Sequence, residues 1–235
     1  LGRGKAFSTV EGGILLTDNR EIAAAIEEEL SELKPYNFFE LVTLVLTALA
    51  LKLLTSPALF WLPKSLPFLQ IGATHFDPDF AIRTFSKFQA GLTFSWLERL
   101  ERFRTQRRFN AEKWAMQKTN NTVKPYLTTE SLPDLIRFPI ECADESVRRE
   151  LLHESERYGL GLAAVYPDTI AGITELKKTF AGQQFPVAQQ LVHRLATLPV
   201  HPLVANYDRQ RIARLLGRDK IVSKVTAAEP IKRAG

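Results

Sequence analysis

Lys5 is the residue of this sequence best placed for covalent chemistry. It lies in a glycine-rich start and precedes the run from Ser8 to Gly13. The apolar residues Ile14 to Leu16 follow and predict a short buried strand. A lysine on a tight loop beside such a strand can be desolvated, which favours a neutral amine able to form a Schiff base with a carbonyl. The same pattern also fits a solvated surface lysine, so both interpretations remain open at this point.

The composition excludes several other kinds of site. The 235-residue chain has one cysteine, Cys142, which excludes an internal disulfide framework and a thiolate zinc cluster. Its four histidines show no metal-ligand spacing, so no metal site is predicted. The net charge of +5 permits contact with phosphate or anionic lipid without requiring it. Cys142 is interpreted as a buried, inert thiol, and His201, between two prolines, as a structural residue.

Two helices are predicted after the strand at Ile14 to Leu16. Apolar residues three and four apart predict a helix that Asp18 or Asn19 caps and Pro35 ends. A long helix is predicted over residues 86–118, with one apolar face that carries Phe88, Leu92, Trp96, Leu100 and Phe103. The arginines between 99 and 108 are interpreted as a solvated face with local glutamate partners, although they could also hold phosphate.

The most apolar segment runs from Phe38 to Leu54. Its uncharged part, between Glu40 and Lys52, is eleven residues long, whereas a helix that crosses a bilayer needs about 20. Three interpretations stay open: a helix in a core, a helix in an oligomer interface, or a helix lying in a membrane surface. The aromatic and proline-containing segment from Phe60 to Lys64 favours the last of these.

The second half of the chain predicts a small α/β unit. A polar break at Thr119 to Thr122 marks the boundary before it. Asp144 is expected to cap a helix that Gly159 ends. The other predicted elements are strands at Leu135 to Ile140, Leu160 to Tyr166 and Thr197 to Val200, and helices at Val187 to Leu195 and Tyr207 to Leu216.

The run from Gly2 to Thr17 resembles a segment of a known enzyme family. It has a lysine, two residues, a Ser/Thr pair, one residue, an acid, two glycines and then an apolar run. This order is similar to the cofactor-lysine segment of the DegT/DnrJ/EryC1/StrS aminotransferases, which are pyridoxal-phosphate enzymes of fold type I. Stretches within residues 88–108, 137–161 and 198–212 resemble later family motifs in the same order. The resemblance covers about residues 1–216.

The resemblance implies an α/β fold that is the C-terminal part of a fold type I aminotransferase, with the N-terminal half of the large domain missing. Residues 1–118 would end the large domain, with an apolar insert at 38–80 and a connecting helix at 86–118. Residues 123–218 would form the small domain, and residues 219–235 a basic tail.

The resemblance also implies residue roles. Lys5 would be the Schiff-base lysine and the proton shuttle, and it would bind pyridoxal 5′-phosphate together with Ser8 and Thr9. Glu11 would orient the loop. The family's phosphate cradle, stacking aromatic and ring-pairing aspartate precede the lysine and have no counterpart here, so we expect this chain alone to be inactive. Ile82 stands where the family often has an asparagine that reaches the cofactor phosphate.

The function implied for the full-length protein is transfer of an amino group, from glutamate, to a keto sugar linked to a nucleotide. Such an enzyme would act as a homodimer in polysaccharide or lipid-linked glycan biosynthesis. We expect a cytoplasmic location, with contact between residues 38–69 and the inner face of a membrane, and no nucleic-acid partner. The alternative is a catalytically inactive relative that binds a membrane surface or a protein partner.

Overall fold

The protein is described by a computed structural model at residues 1–2, 5, 7–54, 80–117, 119–164, 166 and 168–217. The chain divides into two compact units, Leu1–Arg102 and Phe103–Gly235. The predictions for residues 55–79 of the apolar insert and for the basic tail lie outside the described residues. The predicted domain boundaries stay a prediction.

Two helices of the first unit match the sequence expectation. Helix α1 spans Arg20–Ser31 and helix α2 spans Phe38–Leu54. The side chain of Asn19, rather than that of Asp18, caps α1 by accepting hydrogen bonds from two backbone N–H groups of its first turn, at 2.9 and 3.2 Å. Asn37 and Glu40 cap α2 reciprocally, each accepting from the other's backbone N–H.

The prediction of one continuous helix over 86–118 is wrong. Helix α3 spans Lys87–Leu92 and helix α4 spans Trp96–Ala115. Between them Ser95 adopts a positive φ of 53°, a conformation that a right-handed helix cannot continue through. The Arg99 guanidinium donates to the carbonyl of Leu92 at 2.9 Å and satisfies a group that the break leaves free.

The predicted buried strand at Ile14 to Leu16 is also wrong. These side chains are 65–91% exposed, and no strand is assigned in the described part of the first unit. A strand is stable only when a neighbour satisfies its backbone groups and its apolar face is covered. Helix α1 similarly has no buried residue, although its apolar spacing is the pattern of a packed helix.

The second unit is built on a four-stranded antiparallel sheet with strand order β1-β2-β4-β3. The strands are β1, Val123–Pro125; β2, Arg137–Cys142; β3, Ala163–Ala164; and β4, Leu195–Pro199. The helices are α5, Glu145–Tyr158; α6, Pro186–Val192; and α7, Asn206–Leu216. Each predicted element of this half is therefore present, with bounds shifted by a few residues and β3 much shorter than expected.

The core of the second unit follows from the alternation of β2. Phe138, Ile140 and Cys142 point inward and are fully buried, whereas the intervening side chains are partly exposed. Helices α4, α5 and α7 cover this face; their buried core residues include Trp114, Val147, Leu151, Ile212 and Leu216. Cys142 is buried, as predicted, and burial raises the pKa of its thiol to about 11, which disfavours the reactive thiolate form.

No helix among the described residues is both long and apolar enough to cross a membrane.

Candidate functional site

Lys5 lies on an exposed loop of the first unit. Its backbone N–H donates to the carbonyl of Gly2 at 3.3 Å, and its side chain is exposed. In the described part of the chain no carboxylate is paired with its amine. Lys5 is not buried as the sequence suggested, because Ile14 to Leu16, the run expected to form a buried strand beside it, is exposed and forms no strand.

Ser8 and Thr9 lie on the same loop as Lys5, and both hydroxyl groups bond to the loop itself. Thr9 is fully buried, and its Oγ1 donates to the carbonyl of Glu11 at 2.8 Å. The Ser8 Oγ accepts from the backbone N–H of Val10 at 3.1 Å. In this structure the two hydroxyls therefore shape the loop that presents Lys5.

The backbone after Thr9 is strained. Val10 has a φ of 77° and is 5% exposed. A positive φ is a genuine outlier for a β-branched residue, and it persists only where the surroundings over-determine it. Gly12 has a φ of 118°, which glycine tolerates. Strain of this kind is typical of functional loops.

Gln89 holds the loop in this conformation. Its side chain is 1% exposed, and its Nε2 donates to the backbone carbonyl of Glu11 at 3.0 Å. Its Oε1 accepts from the backbone N–H and the hydroxyl of Ser86, each at 3.0 Å. The Ser86 hydroxyl in turn accepts from the backbone N–H of Gln89 at 3.2 Å, so the same pair forms the capping box of α3. The sequence analysis included Gln89 only within the stretch 88–108 that resembles a family motif; Ser86, three residues earlier, was the signal for its capping role.

Tyr36 anchors the loop from a second side, and sequence reasoning missed it. Its hydroxyl donates to the Glu11 carboxylate at 2.8 Å. Burial, together with the hydrogen bond to Glu11 and its negative charge, raises the pKa of Tyr36 to about 12. The phenol therefore keeps its proton at neutral pH and remains the donor. This bond supports the expectation that Glu11 orients the loop, since its carboxylate is already engaged.

A cavity of about 330 Å³ opens beside Tyr36. Its lining is mostly apolar and consists of Pro35, Tyr36, Leu41, Thr84, Phe85, Ser86, Lys87 and Phe88. A cavity of this size is at the lower limit for small-molecule sites, and we assign no ligand to it. Within the described ranges no group of His, Cys, Asp and Glu side chains could hold a metal ion.

The fold is similar to that of sugar aminotransferases. A protein from Streptococcus pneumoniae assigned as a sugar aminotransferase matches in its apo form with a TM-score of 0.52 at 15% identity, over 65% of this chain and 39% of that one. Its PMP form matches with the same TM-score and identity, over 68% of this chain and 41% of that one. This match confirms the predicted class, a mixed helix-and-sheet fold of the aminotransferase type.

A third similar structure is the GDP-4-keto-6-deoxy-D-mannose-3-dehydratase of E. coli with bound hydrated PLP. It has a TM-score of 0.48 and 16% identity, over 61% of this chain and 38% of that one. The chain thus spans about two-fifths of the length of each of these three structures. No curated protein has a significant sequence match to the chain.

The family itself is shown by a family model. The model of the DegT/DnrJ/EryC1/StrS aminotransferase family matches residues 82–216, which is more than half of the chain. The chain belongs to this family, whose cofactor is pyridoxal 5′-phosphate, as the sequence predicted. The matched range begins after the Lys5 loop, so the role of that loop still rests on its motif and its geometry.

Proposed function

We propose that this chain is part of a pyridoxal-phosphate sugar aminotransferase in which Lys5 holds the cofactor. Family membership supports the reaction class. The observation that carries the proposal is an exposed amine without a carboxylate partner, presented by a strained loop that Gln89 and Tyr36 anchor. An anchored loop is what a positioned proton carrier requires, because effective catalysis depends on holding the reacting group in one geometry.

We propose the Lys5 loop as the place where the cofactor binds. The Lys5 amine would hold the cofactor, with Ser8 and Thr9 beside it. When bound, the cofactor supplies a conjugated ring that accepts the electron pair released when a C–H bond of the substrate breaks. Lys5 Nζ would take that proton from one carbon and return it to another. Gln89 and Tyr36 would keep the Lys5 backbone in place during this transfer.

The finer features of the reaction follow the resemblance. We propose glutamate as the amino donor, a nucleotide-linked keto sugar as the acceptor, and a homodimer as the working form, in polysaccharide or lipid-linked glycan biosynthesis. We also propose that this chain alone is inactive. The ring-pairing aspartate has no counterpart in it, and Ile82 replaces the asparagine that often contacts the cofactor phosphate.

Reductive labelling tests the role of Lys5. The chain is incubated with pyridoxal phosphate, reduced with borohydride and mapped by mass spectrometry, with exposed Lys124 of β1 as the internal reference. We expect Lys5 to carry the label in clear excess over Lys124, and Lys5→Arg to lose it. Gln89→Ala should lower labelling at Lys5 without changing Lys124, because the loop loses its anchor. Equal labelling of the two lysines would contradict the proposal.

A second candidate function rests on α2, and we propose it as a membrane-surface contact. Phe39, Val42, Leu46, Leu49 and Leu53 are 38–79% exposed, and they follow one another at spacings of three and four residues. This spacing places them on one face of the helix. An apolar face of this kind can lie in the boundary between headgroups and acyl chains. Residues 55–69 of the predicted contact lie outside the described residues.

Vesicle binding tests this surface. Leu44 of α2 is 3% exposed, so a charge there would disturb folding; the suitable variant is Leu46→Asp with Leu49→Asp. The matched control, Val187→Asp with Leu203→Asp, adds the same charge at exposed apolar positions of the second unit. We expect the chain to bind anionic vesicles with little salt dependence, and only the α2 variant to lose binding. A concentration-dependent dimer lost in that variant would instead assign the face to a second copy.

A further inference from the structure

Arg107, Arg137 and His201 lie near the end of β4 in the second unit, and two hydrogen-bonded side chains of α4 show how this region is arranged. Trp114 of α4 donates from Nε1 to the carbonyl of Pro199 at 2.9 Å. Asn110, one turn earlier, donates from Nδ2 to the carbonyls of Val200 and His201, both at 3.1 Å. These bonds align one face of α4 with the segment that leaves β4. Arg107 lies three residues before Asn110 and therefore on the same face.

Arg107 and His201 have buried side-chain nitrogens without a hydrogen-bond partner among the described residues. The Nε and Nη1 atoms of Arg107 and the Nδ1 atom of His201 are buried, and none has a hydrogen-bond partner among the described residues. Buried polar atoms are nearly always bonded, and an unsatisfied charged group is costly. Arg107 in particular has only donors, so an acceptor must come from outside the described side chains.

Arg137 adds a second permanent positive charge to the group. It lies opposite Pro199 in the register of β2 and β4. Its Nε donates to the Thr197 hydroxyl at 2.7 Å, and its Nη2 donates to the carbonyl of Gly161 at 2.6 Å. These neutral acceptors leave the charge of Arg137 uncompensated.

The electrostatics at His201 report an excess of positive charge. Its pKa is lowered first by burial and then by the positive charges of Arg137 and Arg107; only Asp208 acts in the opposite direction. The Asp208 carboxylate accepts from the backbone N–H of Ala205 at 3.3 Å, at the start of α7. The Arg107 cluster (Arg107, Arg137 and His201) thus lacks a bonded anion among the described residues.

We propose that the Arg107 cluster binds an oxyanion, the phosphate or carboxylate group of a small molecule. An oxyanion supplies acceptor oxygens for the unpaired nitrogens and offsets the charge that the cluster concentrates. Charge-assisted hydrogen bonds from a guanidinium to such oxygens are the strong class of hydrogen bond. The proposal stands independently of the role of Lys5, and each can fail without the other.

The test is an NMR titration of the full chain labelled with 15N, which follows the Nε–H resonance of Arg107 and the imidazole of His201. The probes are sulfate, as a tetrahedral anion of fixed charge, and glutarate, as a dicarboxylate, with ionic strength held constant by sodium chloride. We expect saturable shifts at both residues with at least one probe. Saturable shifts with sulfate but not glutarate would identify a phosphate site, and saturable shifts with glutarate but not sulfate would identify a carboxylate site. The absence of a saturable shift with either probe overturns the proposal.

Variants distinguish specific anion binding at the Arg107 cluster from non-specific attraction to the positively charged protein. Arg107→Met should weaken binding at least about tenfold, because it removes charge-assisted hydrogen bonds, and Arg107→Lys should restore part of it. The matched control is Arg149→Met, which removes one exposed arginine from α5 of the same unit. Equal loss in the control would show non-specific attraction and overturn the proposal. The wild-type shifts remain decisive if Arg107→Met fails to fold.

Discussion

Glu11 is held at both ends, its carboxylate by Tyr36 and its backbone carbonyl by Gln89. The two bonds come from residues 25 and 78 positions away in the chain. They restrain the loop that carries Lys5, Ser8 and Thr9. At the scale of single residues, then, the candidate site depends on side chains that do no chemistry themselves and only position the lysine.

Removal of the Tyr36 hydroxyl should destabilise the protein in a pH-dependent way. The pKa of Tyr36 is raised from 10.0 to about 12, so the folded state favours the protonated phenol. This contribution is complete below pH 10 and is lost as the pH rises from 10 to 12. Tyr36→Phe should therefore cost about 1 kcal/mol below pH 10, the usual value of one hydrogen bond. This cost should shrink and then change sign as the pH rises from 10 to 12, because the raised pKa makes the ionised phenol unfavourable in the folded state.

Urea unfolding at several pH values measures this difference, and tyrosinate absorbance reports the pKa directly. Tyr207→Phe is the control, since Tyr207 is 62% exposed and its loss should not change the free energy of unfolding. A Tyr36→Phe deficit that is independent of pH would contradict the assignment.

Helix ends in this chain follow their local sequence. Asp144 caps α5 by accepting from the backbone N–H of Val147 at 2.9 Å, and Gly159 ends it with a positive φ of 64°. Such ends depend on neighbouring residues alone, which is why the bounds of α5 matched the prediction. The break between α3 and α4 was missed because it depends on Ser95, whose residue type does not signal a positive φ.

Gly159→Ala should destabilise the protein by about 1 kcal/mol, because the Cβ of alanine makes the left-handed backbone conformation unfavourable. An added Cβ would meet nothing within 4 Å, so no steric clash contributes. Gly91→Ala is the matched control: Gly91 lies inside α3 in equally open space. There alanine should stabilise the helix by up to about 1 kcal/mol. Thermal unfolding of both variants checks the opposite signs, and equal shifts would refute this account.

The described residues of the two units differ in how much they bury. The second unit has a continuous core that includes Phe138. In the first unit the buried hydrophobic residues are Val10 and Leu44, within the ranges described, and many large apolar side chains are exposed. Local stability depends on buried contacts, so the two units should open with different free energies.

Hydrogen exchange should therefore be faster in α1 than in α5, two helices of 12 and 14 residues. Helix α1 buries none of its residues, whereas α5 buries Val147, Leu151 and Ser155. We expect at least about a hundredfold difference in exchange rate, equivalent to about 2.7 kcal/mol in opening free energy. Exchange measured by mass spectrometry on the full chain checks this. Equal protection of α1 and α5 would show that α1 is covered in solution.

The sequence by itself determined the features that depend on neighbouring residues. A cap at Asp18 or Asn19, the helix that Gly159 ends, a strand that includes Phe138 and the order of the elements that follow it were all predicted from residue type and spacing. The family resemblance was legible for the same reason, since it depends on motifs in a fixed order. Lys5 was singled out by its local pattern.

Only the tertiary structure decided which of these elements is covered and which side chains meet. The run from Ile14 to Leu16 is apolar, yet it is exposed because no strand in the described part of its unit pairs with it. Gln89 reaches Glu11 across 78 residues, and Asn110 reaches Val200 across 90. Contacts at such separations depend on how the chain closes in space. Residue spacing does not determine which distant segments come together. The sequence therefore could not predict the bond from Gln89 to Glu11 or the unpaired nitrogens of Arg107.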